Sequence, residues 1–550
     1  MRKRTQLALL VLLSLVLFFL RLGSESVYQV AEARNAECAR EMLTRKDWIV
    51  PLFNGQLRTD KPALEYFAMI TAYKIAGVSE GAARFFSALC GVLLILVTFL
   101  FVSRHLGQTA GWWAALCLLA SPHLIFQFRL ATPDPYLILL DTLALYAFFE
   151  GRAAYRSTRA KRPWRWYALT YAFLGLAMLA KGPVGILLPG AAIFIFTLLK
   201  REFSWQTIRQ WKPWWGLFIL AACCTPWYVL VHLNTAGAWT RGFFLEHNLG
   251  RFGGAMGGHG GIFLITFAFV TAGMLPFSVF AVHSLGQAWK DRKSGDLLLF
   301  SLVSFSVIII FYAVSRTKLI NYTVPCYPLL AIMTGYVLMR FQEAPATLRK
   351  LSIPFLVLGI ITSVFPVGVY LWTRTQPILY PFWWISLCML LYPAGSWYAY
   401  LMCRRGKITR SLSVVVATFV LGTLMLFAGP YPALDTQTPL RKAQSLFSPG
   451  RPVAAYRHFN NAFVFYAGNP IPVLKDTGEV RTFLATHPDA LIITKEKHPQ
   501  ALQAMANLEE IRNDPEIFNS HPSRIFRQRP VFEGENHKTP VTTESLKQTH

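Results

Sequence analysis

Runs of roughly twenty apolar residues recur between Leu7 and Ala428, separated by short polar connections. A helix of that length spans the hydrocarbon core of a bilayer, so the pattern predicts a polytopic helical bundle. The expected spans lie at about 7–22, 84–103, 110–128, 136–150, 166–180, 184–199, 214–233, 262–285, 297–314, 320–340, 353–372, 383–402 and 411–429. The first follows Arg2-Lys3-Arg4 and ends at Gly23-Ser24-Glu25, a poor cleavage site, which marks it as a retained helix. Two polar segments interrupt the series, at 29–62 and 234–261. In and after the first, 32–44 and 64–76 suit short amphipathic helices lying along the interface.

At Gly429-Pro430-Tyr431-Pro432 the pattern becomes that of a soluble domain. Val453–Tyr456, Phe463–Tyr466 and Leu491–Thr494 read as short strands among helical pieces. The expectation is a transmembrane domain over 1–430 and a small α/β domain over 431–550, with a disordered tail after about Glu533.

Composition agrees with a membrane protein. The chain is 54% hydrophobic and 15% charged, against about 25% charged in a soluble domain. Its net charge of +26 is spread over short connections such as 152–162, Lys200-Arg201, 290–293, Arg349-Lys350 and 404–407. With about thirteen spans every basic loop falls on one side, which puts the N-terminus in the cytoplasm and the C-terminal domain outside. No nucleic-acid motif, Walker loop or CxxC pair is present in the sequence, so nucleic acid is not an expected partner. The eight cysteines fall mostly within spans, as packing residues do.

Candidate chemistry concentrates on the opposite face from the basic loops. Glu32, Arg34 and Glu37 lie in the first loop with Asp60 and Lys61. Asp134 heads the fourth span, Glu246, His247 and Arg251 lie in the second polar segment, and Lys318 follows the ninth span. Carboxylates mixed with fixed cations suit an enzyme that grips a phosphate while acting on a polar group beside it. Each also has a plainer reading: Lys61, Arg251 and Lys318 as snorkelling side chains, Asp134 as a helix cap, and Lys181-Gly182-Pro183 as a turn. Asp60 with His247 could contribute to a divalent-metal site, although two ligands are fewer than such a site needs.

Spaced pieces of this pattern resemble membrane glycosyltransferases of the protein O-mannosyltransferase type and the bacterial aminoarabinose transferases of lipid A. They are Glu32-Ala33-Arg34, Ala36-Glu37, Ala39-Arg40-Glu41-Met42, Asp47-Trp48, Asp60-Lys61-Pro62, Asp134-Pro135, Ala180-Lys181-Gly182, Glu246-His247 with Arg251-Phe252, and Lys318-Leu319. The resemblance covers about residues 5–340 and implies a glycosyltransferase-C-like fold in a bacterial inner membrane. It implies a polyprenyl-phosphate-linked sugar donor and an envelope acceptor, lipid A or a related glycan. On that basis Glu32 and Asp134 take catalytic roles, and Lys61, Arg251 and Lys318 hold the donor phosphate. Arg34, Glu37 and Asp60 orient sugar or acceptor.

The chain departs from the family at Ala31, where an Asp precedes the first-loop Glu. An acceptor phosphate is already anionic near neutral pH and needs little help from a base. Protein O-glycosylation, a non-catalytic binder of lipid-linked sugar and a transporter are the competing readings. The transporter fits least, because the charges lie in loops rather than at span centres.

Overall fold

The computed structural model describes residues 2–156, 162–250, 261–293, 295–343, 348–447, 450–517 and 521–529. Most expected spans are helices within a few residues of their expected bounds. Among them are α1 (Lys3–Phe19), α4 (Glu80–Leu106), α7 (Asp134–Tyr155), α8 (Trp164–Lys181), α9 (Val184–Leu199) and α11 (Pro213–Asn234). Two first-loop helices join them, α2 (Val30–Arg45) and α3 (Leu64–Ala76).

Two expected spans are bent. α5 (Gln108–Leu119) and α6 (Pro122–Phe128) meet at 70°, where Ser121 caps the new helix by accepting from Leu124 N. The pair 265–273 and 277–293 turns through 118° around Pro276, which lacks the N–H that would continue the helix. Six described helices are long and apolar enough to span a bilayer, or eight if each bent pair counts once. The larger expectation of about thirteen also counts shorter or more charged segments, such as α1, α7, α8 and α9. The chain is a multi-pass helical membrane protein under either count.

Close packing holds the bundle together. A Cβ on Gly335 would lie 2.5 Å from the carbonyl oxygen of Ala110 and 2.8 Å from the nitrogen of Ala114, so only glycine lets 327–343 pack against α5 at this distance. At the end remote from the first loop, Arg152 and Arg156 share Glu202 and Asp296, and Lys200 joins Asp296 at 2.6 Å. Basic residues that read as orientation signals thus also tie α7, α9 and 296–314 together.

The first loop is anchored through buried charge. Arg84 in α4 forms a bidentate pair with Glu32 at 2.7 and 2.9 Å, both side chains being almost wholly buried. Its guanidinium also donates to the carbonyls of Leu22, Glu25 and Ser26. Arg129 does the same for Leu17, Phe18 and Leu20, so two arginines satisfy carbonyls that the end of α1 leaves open. Glu41 accepts from the backbone of Asn54 and Gly55 at the tip of a hairpin of β1 (Leu52–Phe53) and β2 (Gln56–Leu57). Both tip residues have positive φ, the conformation an Asn-Gly turn favours.

Two compact units result, 1–441 and 442–550. The division lies beyond the composition change at 430 because Asp435 accepts from the backbone and hydroxyl of Ser26, and Arg441 bonds Asp435 and the carbonyl of Ser24. The second unit holds a five-stranded mixed sheet in the order β4-β3-β5-β7-β6. Its strands are β3 (Val453–Tyr456), β4 (Val473–Leu474), β5 (Leu491–Thr494), β6 (Leu508–Asp514) and β7 (Ser523–Gln528). β3 pairs parallel to β4 and β5, and β7 antiparallel to β5 and β6.

One expected strand is corrected: Phe463–Tyr466 lies in a helix, Ala462–Ala467. Asn460 starts it by accepting from Ala462 N, and Gly468 ends it at positive φ. A short apolar run carries no period that distinguishes the two structures. The tail expected to be disordered lies outside the described residues.

Arg84→Ala would leave Glu32 buried without its cation, a loss of about 3–5 kcal/mol. We expect a clearly lower unfolding midpoint for the purified protein, measured by thermal or denaturant melts against the parent chain.

Candidate active site

The first loop reaches the head of α7 through its backbone. Ala131 N donates to Glu32 Oε1 at 2.9 Å, and Ala131 O accepts from Asn35 Nδ2 at 3.0 Å. Glu32 and Asn35, three residues apart on α2, therefore hold the N–H and the carbonyl of one residue just before Asp134. Asn35 Oδ1 then accepts from Arg58 at 2.6 Å, and Arg58 pairs with Asp60 at 2.6 Å. The Arg58 carbonyl accepts from Trp239 Nε1 at 2.9 Å, which brings the second polar segment to the same place. One hydrogen-bonded chain thus runs through α2, the Asp60-Lys61 stretch, the head of α7 and Trp239.

Asp134 occupies the first turn of α7, where the positive end of the helix dipole favours a carboxylate. Lys181 Nζ meets its Oδ1 at 2.5 Å, and Asn321 Nδ2 meets Oδ2 at 3.2 Å. Lys181 also lies 5.0 Å from the centre of the Tyr322 ring. The turn read at Lys181-Gly182-Pro183 therefore supplies the cation for Asp134. Gly182 takes φ +86°, and a Cβ there would lie 2.5 Å from the Phe243 ring. Phe243 stacks on Trp239 at 4.7 Å, in an apolar cluster with Ala63, Leu179 and Trp227 that backs the site.

The expected site residues fall into distinct settings. Asp60 is ionised: burial opposes this, but Arg58, Lys61 and the nearby His247 outweigh it and hold its pKa below the usual carboxylate range. Lys61 and His247 thus share the electrostatic neighbourhood of Asp60. Glu32 is committed to Arg84 and the Ala131 backbone, and Glu37 to Arg40 at 2.5 and 2.7 Å. Burial pushes the Glu37 carboxyl up to about 7 against the pull of Arg40. Arg34 is exposed, with its guanidinium 5.7 Å from the Phe53 ring centre. Lys318 donates to the carbonyls of Tyr312, Ala313 and Ser315, closing the end of 296–314. Ala31 is exposed, and Arg251 lies outside the described residues.

Asp60 and His247 gain no third partner of the metal-binding type: among the described residues no three His, Cys, Asp or Glu side chains gather. Arg58, Asn35 and Asn321 join the site without having been singled out in the sequence. The sequence offered only one signal for them, in that Arg58 stands two residues before Asp60.

A family model described as dolichyl-phosphate-mannose-protein mannosyltransferase matches residues 60–230. An undecaprenyl phosphate-alpha-4-amino-4-deoxy-L-arabinose arabinosyl transferase of Pseudomonas aeruginosa (strain LESB58) is 28% identical over 446 residues, covering 79% of this chain and 78% of the relative. An uncharacterized protein of Aquifex aeolicus (strain VF5) is 28% identical over 357 residues, 65% of this chain and 68% of its own length. In fold, the crystal structure of ArnT from Cupriavidus metallidurans bound to undecaprenyl phosphate superposes with a TM-score of 0.80 at 21% identity, covering 95% of this chain and 98% of that one.

The Asp134–Lys181 contact generates a test independent of any activity. Asp134→Asn and Lys181→Met should each lower stability, and the double variant should lose less than the sum, by about 1 kcal/mol or more. Denaturant melts of the four proteins would measure the coupling, and strict additivity would exclude it.

Proposed function

We propose that this chain, a membrane glycosyltransferase of the lipid-linked-sugar type, moves a pentose amino sugar from a polyprenyl phosphate to a phosphate of lipid A. The observation that carries this reading is the convergence of Asp60-Lys61 and the Asp134–Lys181 pair on one hydrogen-bonded frame. The order of the motifs along the chain and the names of the relatives support it. The site would face the periplasm of a bacterial inner membrane, with the N-terminus cytoplasmic, as the basic loops imply.

In this reading the acceptor oxygen attacks the anomeric carbon of the donor sugar. A new carbon–oxygen bond forms as the bond from that carbon to the donor phosphate breaks, and polyprenyl phosphate leaves with the bonding pair. Lys61 holds the donor phosphate and, with Arg251, neutralises the charge that grows on it, where preorganised cations contribute most. Asp134, held by Lys181 and Asn321, orients the sugar for in-line displacement. Lys318 adds positive potential from the end of its helix, and Arg34 stands at the exposed rim. Glu32 and Glu37 act through the position of α2. Asp60 holds Arg58 in place and lies within the electrostatic reach of His247.

Ala31 favours one second reading, a binder of lipid-linked sugar without turnover, because the family carboxylate is missing there. Purified full-length protein with undecaprenyl-phosphate aminoarabinose and lipid A separates the two. Transfer adds one pentosamine mass to lipid A, and binding alone leaves lipid A unchanged. Lys61→Ala should weaken donor binding by about tenfold or more, and Asp134→Asn should slow transfer by about 100-fold or more. Full transfer by both variants would overturn these roles. A new mass on a protein Ser or Thr would name protein as the acceptor instead.

A further inference from the structure

Glu65 is a buried acid that the reading above does not use. It lies in the first turn of α3, separated from Lys61 only by Pro62, Ala63 and Leu64. Its residue exposure is 0%, and neither carboxyl oxygen accepts a hydrogen bond from any described residue. Arg58, Lys61, Asp60 and Asp134 all act on it electrostatically. Three of these already have ion-pair partners, Arg58 and Asp60 in each other and Asp134 in Lys181. Arg58 also keeps one buried nitrogen, Nη1, without an acceptor among the described residues.

A buried carboxyl group with no hydrogen bond is costly, and packing alone does not recover that cost. Its place in a first helical turn offsets part of the cost of the charged form. Burial nonetheless raises its pKa, against the pull of Arg58 and Lys61. A group that brings both positive charge and N–H donors would satisfy both oxygens at once. A sugar hydroxyl brings one donor and no charge.

We propose that Glu65 is a specificity-determining residue that receives the amino group of the transferred sugar and discriminates it from a hydroxyl at the same carbon. This deepens the transferase reading and rests on it for the identity of the ligand. Lys61 would hold the donor phosphate on one side of Pro62, and Glu65 the distal end of the sugar on the other. Because Glu65 is buried, the amino group would be buried with it, and exclusion of water strengthens the contact. The carboxylate acts by recognition, with no bond made or broken at its atoms.

The test uses the full-length chain and two synthetic donors, undecaprenyl-phosphate aminoarabinose and its analogue with hydroxyl in place of the amine. Binding and transfer to lipid A are measured separately for each. The parent chain should bind the amino donor at least about tenfold more tightly. Glu65→Gln keeps the shape but removes the charge, and should erase most of that preference while still binding the hydroxyl donor, which also shows that it is folded. Glu65→Asp keeps the charge and should retain the preference with weaker binding.

Equal loss of both donors in Glu65→Gln, with Glu65→Asp behaving likewise, would overturn the assignment in favour of a purely structural role. An unchanged preference in Glu65→Gln, or no preference in the parent chain, would also overturn it. Discrimination in binding without transfer supports Glu65 and overturns only the catalytic reading. Transfer of both donors at equal rates, with equal binding, overturns Glu65 and leaves the catalytic reading standing. Binding of neither donor overturns both.

Discussion

The interaction on which the rest of the site depends is the buried pair between Glu32 and Arg84. A loop helix rich in charge has little apolar surface with which to hold itself on a membrane bundle. Here it is held because Arg84, projecting from an otherwise apolar helix, needs an anion, and Glu32 supplies one. Removing either partner leaves a charge in a place where water cannot reach it. Glu32 also accepts from the backbone of Ala131, so the same carboxylate sets the entry to α7. The position of Asp134 is therefore tied to that of α2.

Charge at this end of the molecule is largely compensated in place. Asp60 has Arg58, Asp134 has Lys181, Glu37 has Arg40, and Lys318 has three backbone carbonyls. Compensation on this scale is what allows so many ionisable groups to sit beside an apolar bundle. It also separates groups that shape the site from groups that can meet a ligand. A buried side chain committed to three internal hydrogen bonds, as Glu32 and Lys318 are, has little left to offer a phosphate or a sugar. The Asp60-Lys61 stretch and Asp134 fit the ligand-facing role best, and Glu32 and Lys318 the supporting one.

The two polar segments reach the site by different means. The first is fastened by charge, through Arg84 and Arg58. The second is fastened by aromatic packing, with Trp239 and Phe243 stacked on each other in a cluster that includes Ala63, and with Phe243 against Gly182. The indole N–H of Trp239, given to the Arg58 carbonyl, joins the two systems by a hydrogen bond. This backing is held by apolar packing, which is non-directional and does not draw on the charges in front of it.

Apolar runs long enough to span a bilayer determined the helices, because a bilayer admits few other structures. A helical reading of short amphipathic stretches, and not span length, placed α2 and α3, and the crowding of charge in the first loop marked it as the candidate place for chemistry. Such reading failed where local pattern is ambiguous, as at Phe463–Tyr466, where a turn closed by the Asn460 side chain precedes the helix and a glycine at positive φ ends it. The partners of the charged residues were beyond its reach. Glu32 finds Arg84 52 residues away, beyond the rest of the first loop and α3, Asp134 finds Lys181 from α8, and Glu65 accepts no hydrogen bond from a described residue. Which charges meet depends on how helices distant in sequence pack, and a sequence pattern carries the period of each helix but not the contacts between them.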